Sequence, residues 1–316
     1  TGVEMRSGTL NVSGNASITG TGSPFAVASN ANGATTTGAG IAVVQHVTKN
    51  NIDVTISGGT ISGASALSVS NPENNDEADI AKVKVSVIGG TLNAINGGAD
   101  VVQSIKEDFI TGGTFNKVLD TKYYEESIYQ QNAQDATDEP GSVVPRAFEI
   151  KYDLGGGMLA GTAKNPASYT YFDESFTLAN PERAGYTFAG WTGSGIDDGA
   201  ESVTIAKGST GNRSYTATWT ANTNTAYTVE HYQQNLDGTY ALAETDSLTG
   251  ETDATVTAAP KAYEGFTLNE DAQGTVASGT IAGDGSLVLK LYYDRNSYEV
   301  SYAYTGDAPA SAPALP

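Results

Sequence analysis

The sequence contains no cysteine and only two histidines. Without cysteine the chain cannot form disulfide bonds, thiolate metal sites or cysteine nucleophiles. Basic residues are also scarce, with 16 Lys and Arg against 36 Asp and Glu, so the net charge is −20. This charge argues against nucleic acid as a partner, because the phosphate backbone would be repelled. No apolar run of about 18 residues is present, so we expect no membrane span in this sequence.

A repeated phrase marks the first third of the chain. It consists of an apolar residue, any residue, Ser or Gly, Gly, Thr, an apolar residue, and Asn or Ser. The copies lie at 5–11, 56–62, 87–93 and 110–116. The gap between the first two copies fits two units, so a further unit is expected near Ile18 or Ile41.

The phrase has a physical interpretation. Short strands alternate apolar and polar residues, and the glycines bend the backbone where a Cβ would clash. One unit cannot bury its own apolar face, whereas stacked units share a core. We therefore predict an all-β protein that begins with a right-handed parallel β-helix of about five coils over 1–122. Thr and Asn at equivalent positions would form ladders. The alternative is a β-sandwich of Gly-rich hairpins.

Aromatic residues follow the last copy of the phrase. Tyr123, Tyr124 and Tyr129 are expected to cover the open end of the solenoid, which gives a first domain at 1–131. The next segment, 132–147, is rich in Gln, Asn, Asp and Pro and is predicted to be a linker.

Longer, Tyr-rich strands begin at Phe148. The strand 148–154 runs into three glycines at 155–157, and 215–220 alternates apolar residues with threonines. Together with the Gly-Tyr-Thr-Phe-Ala-Gly-Trp phrase at 185–191, these segments resemble the Listeria–Bacteroides repeat, also called the internalin B-repeat type. The resemblance implies a small β-grasp-like domain at 148–221, of a kind that occurs in tandem on bacterial cell-surface proteins.

The following segment, 222–296, is similar to the mucin-binding-type repeats of bacterial surface proteins. The matching stretches are the strand 227–232, the phrase 262–268 and the strand 286–293. The resemblance implies a second β-grasp-like repeat, in which Leu287, Leu289, Leu291 and Tyr293 face inward. Residues 297–316 are interpreted as the truncated start of a further repeat. Short connections between the repeats predict an elongated, head-to-tail arrangement.

Catalytic motifs are scarce. His46 and His231 both occur in stretches that alternate apolar and polar residues, where packing or a simple hydrogen bond is the favoured role. The sequence contains no Ser-containing elbow, zinc motif or phosphate loop. We therefore predict no catalytic residue, no metal site and no cofactor. The enzymatic alternative comes from the predicted fold, since some β-helix proteins are polysaccharide lyases or glycoside hydrolases. Candidate acids for such chemistry are Asp53, Asp100, Glu107 and Asp108.

An acidic loop and two strand lysines each have a functional and a structural interpretation. The acidic loop 71–79 could offer oxygen ligands to Ca²⁺, but a solvated loop is the favoured interpretation because the alternation of an EF-hand loop is missing. Lys151 and Lys290 lie in predicted strands and could enter isopeptide crosslinks, but each is interpreted as a polar-face residue beside an acid.

These features favour a non-catalytic adhesin or ligand-presenting stalk protein. The expected partner is a host or environmental glycan or glycoprotein. We expect an extracellular location, with anchoring to the cell wall through regions outside this sequence. The residues alone assign no binding site, but the solenoid loops around 23–40 and 71–80 are the first places to look, because repeat proteins bind through extended faces.

Overall fold

The structure is a computed structural model, and it describes residues 1–30, 33–132, 141–301 and 306. The described part is almost entirely β-strand, so the prediction of an all-β protein is confirmed. Its one α-helix, α1 (Glu77–Ile80), has four residues. Within the described ranges, no helix has the length and apolar character needed to cross a bilayer.

The chain divides into two compact units. The first comprises 1–150, 166–176 and 204–213, and the second comprises 151–165, 177–203 and 214–316. The predicted boundaries at 131, 147, 221 and 296 stay predictions.

The strands of the N-terminal region and of the segment that follows it are β1 (Val3–Met5), β2 (Gly8–Val12), β3 (Ser17–Thr19), β4 (Ala26–Asn30), β5 (Gly33–Thr37), β6 (Ala39–Val44), β7 (Ile52–Gly63), β8 (Ser65–Ser70), β9 (Val83–Ala94), β10 (Val102–Ser104), β11 (Ile110–Phe115), β12 (Tyr129–Gln131) and β13 (Gly141–Pro145). A 3₁₀-helix covers Thr121–Tyr123.

Parallel pairing connects these strands from one coil to the next. One sheet has the order β1-β6-β8-β10, and the other contains β2-β7-β9-β11. All six of these neighbouring pairs are parallel. Hairpins would pair antiparallel, so the alternative of a hairpin sandwich is wrong for these strands. The two parallel sheets are what a parallel β-helix needs, and the right-handed β-helix itself stays a prediction.

The repeated phrases align in three of the four predicted cases. Thr60 pairs with Thr91, and Thr91 pairs with Thr114, which forms the expected threonine ladder. The predicted extra unit is present at Ile18, which pairs with Ile61. The phrase at 5–11 is the exception, since Gly8 pairs with Ile52 rather than with Gly59. Gly8, the first residue of β2, has a φ of +81°, so it turns a different corner of the coil.

The core of this region consists of the inward-facing apolar residues of successive coils. Ile56, Ile61, Val87, Leu92 and Phe115 are all fully buried. Each of these positions belongs to a phrase copy, which explains why the phrase recurs: the two apolar residues on either side of the glycine bend fill the interior.

Two tyrosines that follow β11 pack into the core of the parallel sheets. Tyr123 and Tyr124 are buried in the same core, and the ring of Tyr123 lies 5.7 Å from that of Phe109. Strand β13 pairs antiparallel with β11, and β12 pairs with β13. Residues 141–145, which were predicted to belong to a linker, therefore form a strand. Val143 of this strand is buried in the core. Residues 133–140 lie outside the described part of the chain.

The later strands are β14 (Phe148–Asp153), β15 (Met158–Leu159), β16 (Ser168–Tyr169), β17 (Phe176–Thr177), β18 (Pro181–Glu182), β19 (Tyr186–Gly193), β20 (Ile196–Ala200), β21 (Thr204–Ile205), β22 (Arg213–Ala221), β23 (Thr225–Gln234), β24 (Tyr240–Gly250), β25 (Thr255–Thr257), β26 (Phe266–Leu268), β27 (Ser278–Thr280) and β28 (Val288–Arg295).

Most predicted strands of this region are present. Within the second unit, β19 pairs antiparallel with β20 and β22, and the sheet β24-β23-β28-β26 has its parallel pair, β23 and β28, in the centre. Leu289, Leu291 and Tyr293 are buried, as predicted, and Leu287 packs against them while partly exposed. Residues 297–301 form no strand. Residues 302–305 and 307–316, the rest of the predicted further repeat, lie outside the described residues.

Candidate ligand-binding groove

The two histidines have structural roles. His46 lies just beyond β6, not within a strand, and its Nδ1 accepts a hydrogen bond from the Thr48 amide. His231 is fully buried on β23. Its Nε2 lies 3.4 Å from a carboxylate oxygen of Asp246, and its Nδ1 lies 3.0 Å from the Tyr293 hydroxyl. A carboxylate can only accept, so Nε2 carries the proton and Nδ1 accepts from the tyrosine.

The surroundings of His231 are ionic. Lys261 Nζ contacts Glu244 at 2.7 Å and Asp246 at 2.5 Å. The lysine lowers the pKa of both carboxyls. The Tyr263 hydroxyl donates to Glu244. Burial raises the pKa of Tyr263 to about 12. The lysine and tyrosine therefore tie this carboxylate pair into the packing of the second unit.

The acidic loop 71–79 ends in an ion triad. Asp79, at the C-terminal side of the loop, is buried and contacts Lys49 at 2.6 Å and Lys82 at 2.8 Å. These lysines lower its pKa to about 2. No group of three or more Asp, Glu or His side chains in the described part of the chain is arranged to hold a metal ion.

The four candidate acids of the enzymatic alternative lie in different places. Asp53 is exposed on β7, opposite Thr9 and Lys84 of the neighbouring coils. Glu107 and Asp108 are exposed in the connection between β10 and β11. Asp100 lines a surface cavity of the first unit.

That cavity, which we call the end groove, has a volume of about 330 Å³. It lies in the first unit and is lined by 100–104, 118–120, 122 and 123. One wall is β10 with the residues before it, and the other is the segment that follows β11. The Ser104 amide donates to the Tyr123 hydroxyl at 3.1 Å, so the two walls are tied together.

The end groove carries paired charges. The amide of Lys122 donates to Asp120, and Lys122 Nζ lies 3.2 Å from the second oxygen of that carboxylate. The backbone and side chain of Lys122 lower the pKa of Asp120, and Asp120 raises the pKa of Lys122. The Lys122 ammonium also lies 5.0 Å from the centre of the Tyr123 ring. The groove thus offers a carboxylate and a cation that are paired with each other.

A second cavity adjoins the end groove. This side groove has a volume of about 280 Å³ and is lined by 23–25, Ala64, 96–99 and Gln103. Gln103 lines both cavities, so the two are neighbours. Residues 23–25 belong to the loop 23–40 that the sequence singled out, although its later part forms the hairpin β4–β5. The loop 71–80 lines neither groove.

The chemistry of the two grooves suits polyhydroxylated ligands. Carboxylate, amide, hydroxyl and ammonium groups offer donors and acceptors along one path, and each cavity is near the lower end of the size range of ligand pockets, about 300–1,000 Å³. Hydrolysis would require a carboxylic acid that stays protonated near neutral pH, whereas the pKa of Asp120 is lowered.

Sequence reasoning missed most of these residues. Gln103, Asp120 and Lys122 occur in no repeated phrase and no catalytic motif, and only Asp100 was a candidate. The position of 118–123 directly after the last phrase copy could have indicated the groove. A segment that covers the end of a solenoid must contact the last coil, and a groove can form along that contact.

The two lysines considered for crosslinks lie on strands. Lys290 Nζ is 3.5 Å from a carboxylate oxygen of Glu230, and Lys151 is exposed on β14. Both positions agree with the interpretation of polar-face residues.

The chain was compared with protein-family models, with curated proteins and with solved structures. None of the three comparisons finds a match.

Proposed function

We propose that this protein is a non-catalytic bacterial surface adhesin that presents a glycan-binding face on stacked parallel coils. The observation that carries the proposal is that the end groove and the side groove share Gln103 in their linings. Two neighbouring polar grooves suit an extended chain of hydroxyl-bearing units better than a compact apolar ligand.

The predicted partner is a host or environmental glycan, free or on a glycoprotein. The strongly acidic composition supports an extracellular protein that stays soluble without disulfide bonds. The resemblance of 148–221 and 222–296 to repeats of bacterial surface proteins supports the same location, with anchoring through regions outside this sequence.

A stalk role for the second unit is supported by its internal contacts. The Asn222 amide and the Thr252 hydroxyl both donate to the Gly185 carbonyl, at 2.9 Å and 2.7 Å. The Tyr186 hydroxyl donates to Asp253. These bonds join the two predicted repeats directly, which restricts their relative movement more than a Gly/Ser linker would.

One observation favours a second function, a glycoside hydrolase or lyase of the β-helix type. Asp100 and Asp120 line the same cavity, and glycosidases act with a pair of carboxyls. The general acid of a glycosidase must be protonated. Because the pKa of Asp120 is lowered, Asp100 is the candidate for that role.

A glycan array with the complete chain tests the proposal. The wild type should bind a limited set of oligosaccharides in a saturable manner, and Gln103→Ala should weaken this binding at least about tenfold, the loss of roughly one hydrogen bond to a buried ligand group. The matched control is Gln233→Ala, which removes a partly buried glutamine side chain from β23 of the second unit. Equal binding by wild type and Gln103→Ala would contradict the proposal.

A further inference from the structure

The second unit contains an aromatic groove that the glycan-binding proposal does not use. Its volume is about 440 Å³, and most of its lining is apolar. Met158, Tyr186, Phe188 and Trp219 provide the apolar wall, and Glu182 and Arg183 are its charged residues. Met158 is exposed over 71% of its surface, so this part of the wall is open to solvent.

The aromatic wall is held rigidly. The Trp219 indole N–H donates to the Leu154 carbonyl at 3.0 Å, and its ring lies 5.7 Å from that of Phe188 in an edge-to-face contact. A Cβ on Gly157 would lie 2.4 Å from the indole ring, so only glycine allows the backbone to approach so closely. The Tyr186 ring is fixed by its hydroxyl, which donates to Asp253.

Arg183 is fixed on this wall as well. Its guanidinium carbon lies 3.6 Å from the centre of the Tyr186 ring, and one terminal nitrogen, Nη1, donates to the Gly155 carbonyl at 3.1 Å. The guanidinium also forms a side-chain hydrogen bond with the Tyr186 hydroxyl, and the described residues include no ion-pair partner for it. The remaining N–H groups of a planar guanidinium in a fixed orientation match the geometry of a carboxylate.

We propose that the aromatic groove binds a carboxylate-bearing sugar ring, such as a uronic acid. The carboxylate forms a bidentate pair with Arg183, and the C–H face of the ring packs against Trp219 and Phe188. The net charge of −20 does not prevent this contact, because charges farther than about 8 Å are largely screened at physiological ionic strength. The site is independent of the end groove and of the adhesin proposal.

The two tryptophans allow a direct test. Trp191 is fully buried, whereas Trp219 lines the groove. In ¹H–¹⁵N spectra of the complete chain, titration with methyl glucuronide should shift the indole signal of Trp219 and leave that of Trp191 in place. The neutral match, methyl glucoside, should produce a shift only at concentrations at least about tenfold higher, because it lacks the charge-assisted pair with arginine. Trp219→Phe assigns the two signals.

Arg183→Gln distinguishes the contribution of the guanidinium charge from that of the apolar wall, because glutamine removes the charge and keeps part of the aliphatic side chain. It should weaken glucuronide binding at least about tenfold and leave glucoside binding unchanged. Lys164→Gln, the same charge change at an exposed residue outside the groove, should leave both unchanged. Equal binding of the two sugars, an unchanged titration in Arg183→Gln, or a stronger Arg183-dependent shift with an acidic peptide would each overturn the proposal. Glycan-array results for Gln103→Ala are unaffected by any of these outcomes.

Discussion

Gly185 and Gly283 lie in such close contact that neither position has room for a side chain. A Cβ on Gly185 would be 2.3 Å from the Cα of Gly283, and a Cβ on Gly283 would be 2.2 Å from the Ala184 carbonyl oxygen. Gly185 also has a φ of +79°, whereas Gly283 does not have a positive φ. At Gly283 glycine is therefore required by the approach of the two segments and not by its own backbone conformation.

Gly283→Ala tests this contact. The added methyl group must push the two predicted repeats apart, so we expect a loss of about 1–3 kcal/mol in the free energy of unfolding, typical of an overpacked site. Differential scanning calorimetry measures it. Gly199→Ala is the control, because a Cβ there has no neighbour closer than 3.7 Å. Equal melting temperatures for the two variants would show that the junction is loose.

Asp79 makes the free energy of unfolding of the parallel coils depend on pH in the acidic range. Its pKa is lowered to about 2 by Lys49 and Lys82, while an aspartate in the unfolded chain has a pKa of about 3.9. A lowered pKa in the folded state stabilises the protein above the unfolded pKa, and this contribution is lost as the pH falls toward about 2.

Asp79→Asn should therefore lower the urea midpoint of the parallel coils at pH 7. The difference from wild type should shrink between about pH 4 and pH 2, because the wild-type carboxylate becomes protonated there. Asp53→Asn, at an exposed position on β7, is the control and should have little effect at any pH. A difference between wild type and Asp79→Asn that is independent of pH would contradict the role of the ion triad.

Tyr293 links three elements of the second unit. Its hydroxyl lies 3.0 Å from His231 Nδ1 and accepts from the Lys261 amide at 2.9 Å. Tyr293→Phe leaves the histidine acceptor and the amide without their partner, and we expect a loss of about 1–3 kcal/mol. Tyr292→Phe is the control, because the Tyr292 ring stacks on Tyr232 and no hydrogen bond of its hydroxyl is present in the described structure. Chemical denaturation should separate the two variants, and similar unfolding energies would contradict the proposed network.

The regular parts of the fold could be predicted because their signals are local and repeated. The phrase copies at 56–62, 87–93 and 110–116 fix both the bend and the inward residues, so the core and the threonine ladder followed directly. Gly8 misled the alignment, since a glycine with positive φ serves any corner of a coil. The strand 141–145 was missed because the surrounding segment, 132–147, is rich in Gln, Asn, Asp and Pro, which favours a linker over a strand.

The candidate grooves could not be predicted, because they depend on contacts between distant segments. Asp120 and Lys122 approach Gln103 only when the segment after β11 folds back over the last coil. The aromatic groove is similar, since Arg183 is fixed by Tyr186 and by the carbonyl of Gly155. Sequence patterns specify which residues are buried far better than they specify which polar groups converge.

Binding without cleavage is the central claim, and one experiment tests it directly. An oligosaccharide selected on the array is titrated calorimetrically with the complete chain, and the sugar is then analysed by mass spectrometry after prolonged incubation. We predict saturable binding that Gln103→Ala weakens, with the oligosaccharide recovered intact. Recovery of shortened or unsaturated fragments, abolished in Asp100→Asn, would instead show that the end groove is the active site of a glycan-degrading enzyme.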